Sequence, residues 1–225
     1  TPTPETYTVL TSSAASDVYK RQVERGTPGF VVGDLEDLSG VRANPVSSIR
    51  LYDCRVPREN LLGQSGNGLQ IGLVALDTGR IGIAAQALGI AQASMEEAIR
   101  YANQRQQFGV PLSRHQAIQM MIADMATQVD AARMMIYRAA WLKDQHQTFT
   151  KASAQAKLFA SEAAGKVTDL AVQIHGGYGY SKAYPVERYY RDARVTRIYE
   201  GTSEIHPMVI AREAQKDVMS DLHLA

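Results

Sequence analysis

Beyond Gly66 the apolar residues recur with the spacing of an α-helix through three long segments, and the breaks between those segments are short. This pattern leaves little choice of architecture, because long amphipathic helices with brief connections bury their stripes by packing antiparallel. The first segment is expected to run from about Asn67 to Gln106, stopping where Gly109 and Pro111 give a C-terminal signal. One side of it carries the series Gly72, Ala75, Gly79, Gly82, Gln86, Gly89 and Ala93. A glycine costs ~1 kcal/mol relative to alanine inside a helix, so this series implies close approach of another helix or of a ligand. Ser113 followed three residues later by Gln116 has the form of a capping box. It opens a second segment that turns Ile118, Met121, Ile122, Met125, Val129, Ala132, Ile136 and Ala139 inward and ends near Asp144. A third, from about Lys151 to Ile174, turns Leu158, Phe159, Ala163, Val167, Leu170 and Ile174 inward and stops at Gly176-Gly177. Pro185 suits the first position of a short helix to about Ala193, and a helix after Thr202 completes four.

Residues 23–63 read differently. Apolar pieces at Gly29–Val32, Val46–Leu51 and Val56-Pro57 alternate with Gly33-Asp34 and Ser39-Gly40, as in two or three antiparallel strands. A piece this small is not an independent sheet. Residues 1–22 are rich in Thr, Ser and Pro without sustained periodicity, and are expected to be poorly ordered or foreign to the fold. The expected fold is thus mainly α: an antiparallel four-helix bundle over 67–219, preceded at 23–63 by the remnant of a small antiparallel β domain.

Charge narrows the function. Lys and Arg number 24 against 23 Asp and Glu, a net +1 that provides no field to attract nucleic acid or an anionic membrane. In the stretch Glu187–Glu200, Arg188, Arg191, Arg194 and Arg197 alternate with Glu187, Asp192 and Glu200, which reads as a self-paired surface. The single Cys54 forms no internal disulfide, and no Cys/His pair has zinc-ligand spacing. No apolar run approaches the ~20 residues of a membrane span, and a secretory signal pattern is missing from the N-terminal residues. An intracellular place is expected. Neither a phosphate-binding loop nor a dinucleotide fingerprint is present.

Seven stretches carry a family resemblance: Gly26–Phe30; Asp53–Pro57 with Asn60–Gly63; Gly79–Ala84; Arg105-x-x-Phe108-Gly109-x-Pro111-Leu112; Gln173-x-x-Gly176-Gly177-x-Gly179-Tyr180; Pro185–Ala193; and Ile198–Ile205. Each is weak alone, but in this order from Val23 to about Asp217 they resemble the C-terminal half of an acyl-CoA dehydrogenase, most of all the short-chain (butyryl-CoA) enzymes. The resemblance implies an FAD-dependent enzyme that converts acyl-CoA thioesters to trans-2-enoyl-CoA. A carboxylate takes the pro-R α-proton while the β-hydrogen leaves as hydride to flavin.

The resemblance places that base at Glu200. Such a base needs a carboxylate in a site from which substrate excludes water, and the developing enolate needs donors, which the resemblance supplies as the Glu200 N–H and a flavin ribityl hydroxyl. One branch of the family carries its base immediately before the residue matching Arg80; here that position is Gly79. The acyl-CoA pocket is expected at Asp77, Thr78, Gly79, Arg80, Tyr199 and Gly201. Flavin contacts are expected at Arg105, Phe108, Gln116, Gln173, Ile174, His175, Gly176, Gly177, Thr202, Ser203 and Glu204. Local roles stay open for several: Gln116 as a helix cap, Arg105 at a helix C-terminus, Gly176-Gly177 as a helix stop, Asp77 and Arg80 as a helix-surface pair.

The resemblance further implies a homotetramer built through the bundle, an electron-transfer flavoprotein as acceptor, and residence in bacterial cytoplasm or mitochondrial matrix. Two other readings stand beside it, a flavin-dependent acyl-CoA oxidase of the same superfamily and a helical oligomerisation module without catalysis. His206-Pro207 departs from the family, which carries Gln-Arg inside a helix at that place. Proline has no N–H to donate, so the last helix is expected to start late, with Pro207 as its first residue.

Overall fold

The computed structural model describes residues 6–9 and 21–222. They fall into two compact units, one reaching Leu76 with Ser39–Val41 excepted, the other formed by Ser39–Val41 and the chain from Asp77 onward.

In the first unit, strand β1 (Thr6–Val9) pairs antiparallel with β2 (Arg21–Glu24), Thr6 lying opposite Glu24. Strand β3 (Phe30–Leu35) pairs antiparallel with β4 (Ser47–Leu51), with a register shift between Val32 and Leu35. Gly29 enters β3 at φ +84°, and a Cβ there would lie 2.0 Å from the Tyr52 carbonyl oxygen, so only glycine fits. Two expectations change. β1 lies in the stretch read as lacking structure: four residues are too few to show alternation, although Thr, Tyr and Val all favour strands. Residues 1–5 and 10–20 of that stretch lie outside the described residues. Val56-Pro57 is not a strand but leads into a 3₁₀ turn at Arg58–Asn60.

The unit boundary falls inside helix α1 (Gly68–Gln104). A hairpin of β5 (Gln106–Gln107) and β6 (Val110–Pro111) follows, turning on Phe108 and Gly109 at φ 55° and 81°, the two positive values that a type I′ turn requires. Helices α2 (Gln116–Asp144), α3 (Thr150–His175), α4 (Val186–Arg194) and α5 (His206–Leu222) complete the mainly helical fold. Short connections make the long helices antiparallel neighbours. Their shared core is rich in alanine: Ala84, Ala87, Ala91 and Ala98 from α1 meet Met125, Val129, Ala132 and Ile136 from α2 and Ala156, Ala160, Ala164 and Val167 from α3.

Several finer expectations are corrected. Helix α3 packs on α2, α4 and α5, so alanines bury most of its circumference and Leu158, Phe159 and Leu170 are only half buried at its margins. The capping box does not form. His115 occupies the N-cap without a side-chain bond, while the Ser113 hydroxyl, in a preceding 3₁₀ turn, donates to Asn103 Oδ1. The glycine series of α1 is not its core face, which is the alanine stripe, and added Cβ atoms at Gly82 and Gly89 would meet nothing within 4 Å. Helix α1 does contain an 18-residue stretch, of mean hydropathy 1.3, long and apolar enough to cross a membrane. Ala84, Ala87, Ala91 and Ala98 of this helix lie in the bundle core, while 17% of the apolar stretch is buried. Helix α5 starts after the Glu200 loop, at His206, so Pro207 is its second residue rather than its first, still within the first turn where no N–H is required.

Candidate active site

Helix α4 runs into a 3₁₀ turn at Val195–Arg197, where the Tyr199 N–H still reaches the Val195 carbonyl at 3.2 Å. The chain then leaves helical geometry abruptly, with φ at +54° for Glu200 and +93° for Gly201. Left-handed backbone is uncommon for a glutamate and costs on the order of 1 kcal/mol, so its surroundings must hold it there. Glu162 of α3 fixes one side of this loop. Its carboxylate takes Arg197 in a two-pronged pair, at 2.7 and 2.6 Å, and accepts the Ser203 hydroxyl at 2.7 Å. The Ser203 N–H closes the loop onto the Arg197 carbonyl at 3.1 Å. The Tyr199 hydroxyl donates to Gln86 of α1, and burial raises its pKa.

So placed, the Glu200 carboxylate rests against Gly79. A Cβ at position 79 would lie 2.5 Å from Glu200 Oε2 and 2.8 Å from its carboxyl carbon. Oε2 is buried and has no hydrogen-bond partner among the described residues. Arg197, one of the arginines read as pairing with Glu200 on a surface, is instead engaged by Glu162. Among the described residues the Glu200 N–H donates to no carbonyl. Next to Gly79 in the helix, Arg80 is buried and pairs with Asp77 at 2.6 Å, whose other oxygen accepts the Thr150 hydroxyl at 2.6 Å. The cluster therefore unites Asp77, Gly79, Arg80, Tyr199, Glu200 and Gly201, whereas Thr78 is exposed.

Two further residues, not singled out for the site by their sequence, complete it. Lys157 and His206 are both fully buried, and both donate to the Gly201 carbonyl, Lys157 Nζ at 2.5 Å and His206 Nε2 at 3.0 Å. Burial, with Arg80 nearby, brings the Lys157 ammonium down to about 8. Burial, with Lys157 and Arg80, brings the His206 imidazole down to about 4. His206 is thus neutral at pH 7, with the proton on Nε2 and a bare, unpartnered Nδ1. The available signal for Lys157 was a lysine spaced four residues from both Ser153 and Ser161 on the face that is buried.

A second place gathers part of the expected flavin set. Arg105, Ile174, His175, Gly176 and Gly177 line a cavity of about 580 Å³, together with five residues not among the expected flavin contacts, Tyr101, Gln107, Leu112, Tyr178 and Ser181. His175 stacks on Tyr101 with ring centroids 4.2 Å apart, and its buried Nε2 has no partner among the described residues. The Arg105 guanidinium stands 5.9 Å from the Tyr178 ring centroid. A guanidinium, a hydroxyl and open glycine backbone beside an aromatic face suit a diphosphate joined to a purine, so these residues fit one end of an FAD. The other expected contacts do not join this cavity. Phe108 sits at the hairpin tip, 93% exposed and edge-on to His115; Gln116 and Gln173 are exposed; Thr202, Ser203 and Glu204 belong to the Glu200 loop.

The sequence profile of the acyl-CoA dehydrogenase C-terminal domain matches residues 66–215. The chain belongs to the acyl-CoA dehydrogenase family. Family relatives include acryloyl-CoA reductase (NADH) of Anaerotignum propionicum, 54% identical over 194 residues that cover 86% of this chain and 49% of that protein. The mitochondrial short-chain specific acyl-CoA dehydrogenase of Rattus norvegicus is 55% identical over 185 residues, 82% of this chain and 45% of that one. Among solved structures, butyryl-CoA dehydrogenase from Megasphaera elsdenii aligns with a TM-score of 0.88 and 45% identity, covering 93% of this chain and 55% of its own. The chain spans about half the length of the curated relatives it matches.

Proposed function

We propose that this chain serves the α,β-dehydrogenation of short-chain acyl-CoA thioesters to trans-2-enoyl-CoA, with Glu200 as the base. The observation that carries the reading is the Glu200 carboxylate, one oxygen buried without a partner and seated against a glycine. In that setting the carboxylate takes the α-proton of the thioester, and its unengaged N–H faces the developing enolate oxygen. Asp77, Gly79, Arg80, Tyr199 and Gly201 shape the surroundings of the acyl group. Arg105, Ile174, His175, Gly176 and Gly177 hold the diphosphate end of FAD, with Phe108, Gln116, Gln173, Thr202, Ser203 and Glu204 as further contacts. When bound, FAD supplies the acceptor for the β-hydride.

By family resemblance the protein acts as a homotetramer, passes electrons to an electron-transfer flavoprotein, and works in bacterial cytoplasm or mitochondrial matrix, as both bacterial and mitochondrial relatives suggest. The residue ranges 23–63 and 67–219 serve as β and helical portions of the enzyme. In FAD-loaded protein, Glu200→Gln should keep flavin and lose butyryl-CoA turnover. Retention of both near wild-type levels would refute the assignment.

A second reading, reduction of an enoyl-CoA, is favoured by the identity to acryloyl-CoA reductase. The same carboxyl would then deliver a proton to the α-carbon. NADH consumption with acryloyl-CoA, set beside oxidation of butyryl-CoA, separates the two directions, and oxygen uptake separates a dehydrogenase from an oxidase.

A further inference from the structure

A lysine whose side chain is wholly withdrawn from water to bond one backbone carbonyl is unusual. An apolar residue of similar volume would fill the space at lower desolvation cost. Lys157 accepts that cost in α3, and His206 joins it from the first residue of α5, so two elements converge on a single oxygen. A carbonyl oxygen has two lone pairs, and here both are used. The ring of His206 also packs on Gly201, where a Cβ would lie 3.2 Å from its Cε1. The carbonyl they hold belongs to the second of two successive left-handed residues, the first being Glu200. That carbonyl lies one residue beyond Glu200, so anchoring it restrains the chain on the C-terminal side of Glu200.

We infer that Lys157 and His206 are positioning residues: by fixing the Gly201 carbonyl they hold the Glu200 backbone left-handed and its carboxylate against Gly79. This rests on the reading of Glu200 as the base. Glu162 secures the same loop at Arg197 and Ser203, so the carboxylate is held between two anchors on α3, Lys157 and Glu162. The anchoring also explains why a histidine begins α5. A ring with its proton on Nε2 donates to Gly201 from this position, while Pro207 at the next position has no N–H to give.

The test compares Lys157→Met and His206→Phe, which keep bulk and remove the donor, with His206→Gln, which keeps an N–H donor. Amide deuterium exchange of the chain itself, which needs neither flavin nor substrate, should be roughly 10- to 100-fold faster at Glu200–Ser203 in the first two, the loss of one buried, charge-assisted or well-formed bond. It should return toward wild type in His206→Gln. In FAD-loaded protein the first two should lower kcat by up to about 10²-fold with KM nearly unchanged, because a base displaced by an ångström still binds substrate. Should Lys157→Met fail to fold, the His206 pair decides alone. Unchanged exchange at Glu200–Ser203 overturns the inference. So does unchanged kcat in variants whose loop has loosened, provided Glu200→Gln is inactive. If Glu200→Gln itself turns over normally, the failure is that of the base assignment, while the exchange result still reports on the clamp.

Discussion

Gly79 and Glu200 occupy one space between them, since a Cβ on the first would lie 2.5 Å from an oxygen of the second. The obstructing atom is the free end of a flexible side chain, so Gly79→Ala should be accommodated by displacement of the carboxylate rather than by unfolding. Alanine also gains ~1 kcal/mol of helix propensity at this site. The expected result is a thermal midpoint at or above wild type with turnover reduced by about 10²-fold, and full activity would show that the carboxylate need not sit there. His206 and Lys157 also make stability depend on pH. Burial lowers both from ordinary values of 6.5 and 10.5, so between about pH 4 and 6.5 for His206, and between about 8 and 10.5 for Lys157, the unfolded chain binds more protons than the folded one. Stability should therefore rise with pH through each window, by on the order of 3 kcal/mol apiece. Denaturant unfolding as a function of pH checks this: His206→Gln should flatten the acid limb and Lys157→Met the alkaline one, and unchanged slopes would contradict it. At this scale the sequence was informative only in part. Glu200 and Gly79 were legible through family resemblance, but their contact depends on how α1 meets the loop after α4, which no local pattern encodes. Lys157 escaped notice because a lysine is ordinarily a surface residue, and the fold buries this one for a single backbone oxygen.

Helices were the most legible elements, because each long apolar period ends at a real conformational break. Helix α3 ends at Gly176, whose φ of 60° and ψ of −138° suit glycine, and α2 ends near the expected Asp144 with His146 at φ 54°. What periodicity could not show was how many partners each helix has. Large residues in α3 suggested one inward face, whereas its alanines are buried nearly all round, because small side chains let α2, α4 and α5 approach closely. Ala160, fully buried in that helix, therefore has no room to grow. Ala160→Leu should cost about 1–3 kcal/mol in denaturant unfolding, whereas Ala117→Leu on the exposed side of α2 should stay within about 0.5 kcal/mol. Equal effects would mean that the alanine packing has slack. The capping box at Ser113 misled for a related reason: the 3₁₀ turn at Leu112–Arg114 directs that hydroxyl back to Asn103, a partner outside the helix it was expected to start.

For the molecule as a whole, α2 presents Met134, Tyr137 and Trp141 to solvent at 66, 62 and 56% exposure, spaced three and four residues apart on one face. We assign this stripe to an interface of the proposed tetramer, because exposed apolar stripes on folded bundles favour association. Tyr137→Glu should lower the mass measured by sedimentation relative to wild type, and an unaltered mass would remove this face from the proposed tetramer. The mainly helical architecture was legible from sequence because the period changes at Gly66, whereas the strand at Thr6–Val9 was too short to announce itself. The shared volume of Gly79 and Glu200 also bears on descent. A gene that gained a carboxylate at 79 while keeping the one at 200 would force two like charges into a space built for one. On the proposed assignment of Glu200 as base, two carboxylates at 79 and 200 could not both stay charged in that space.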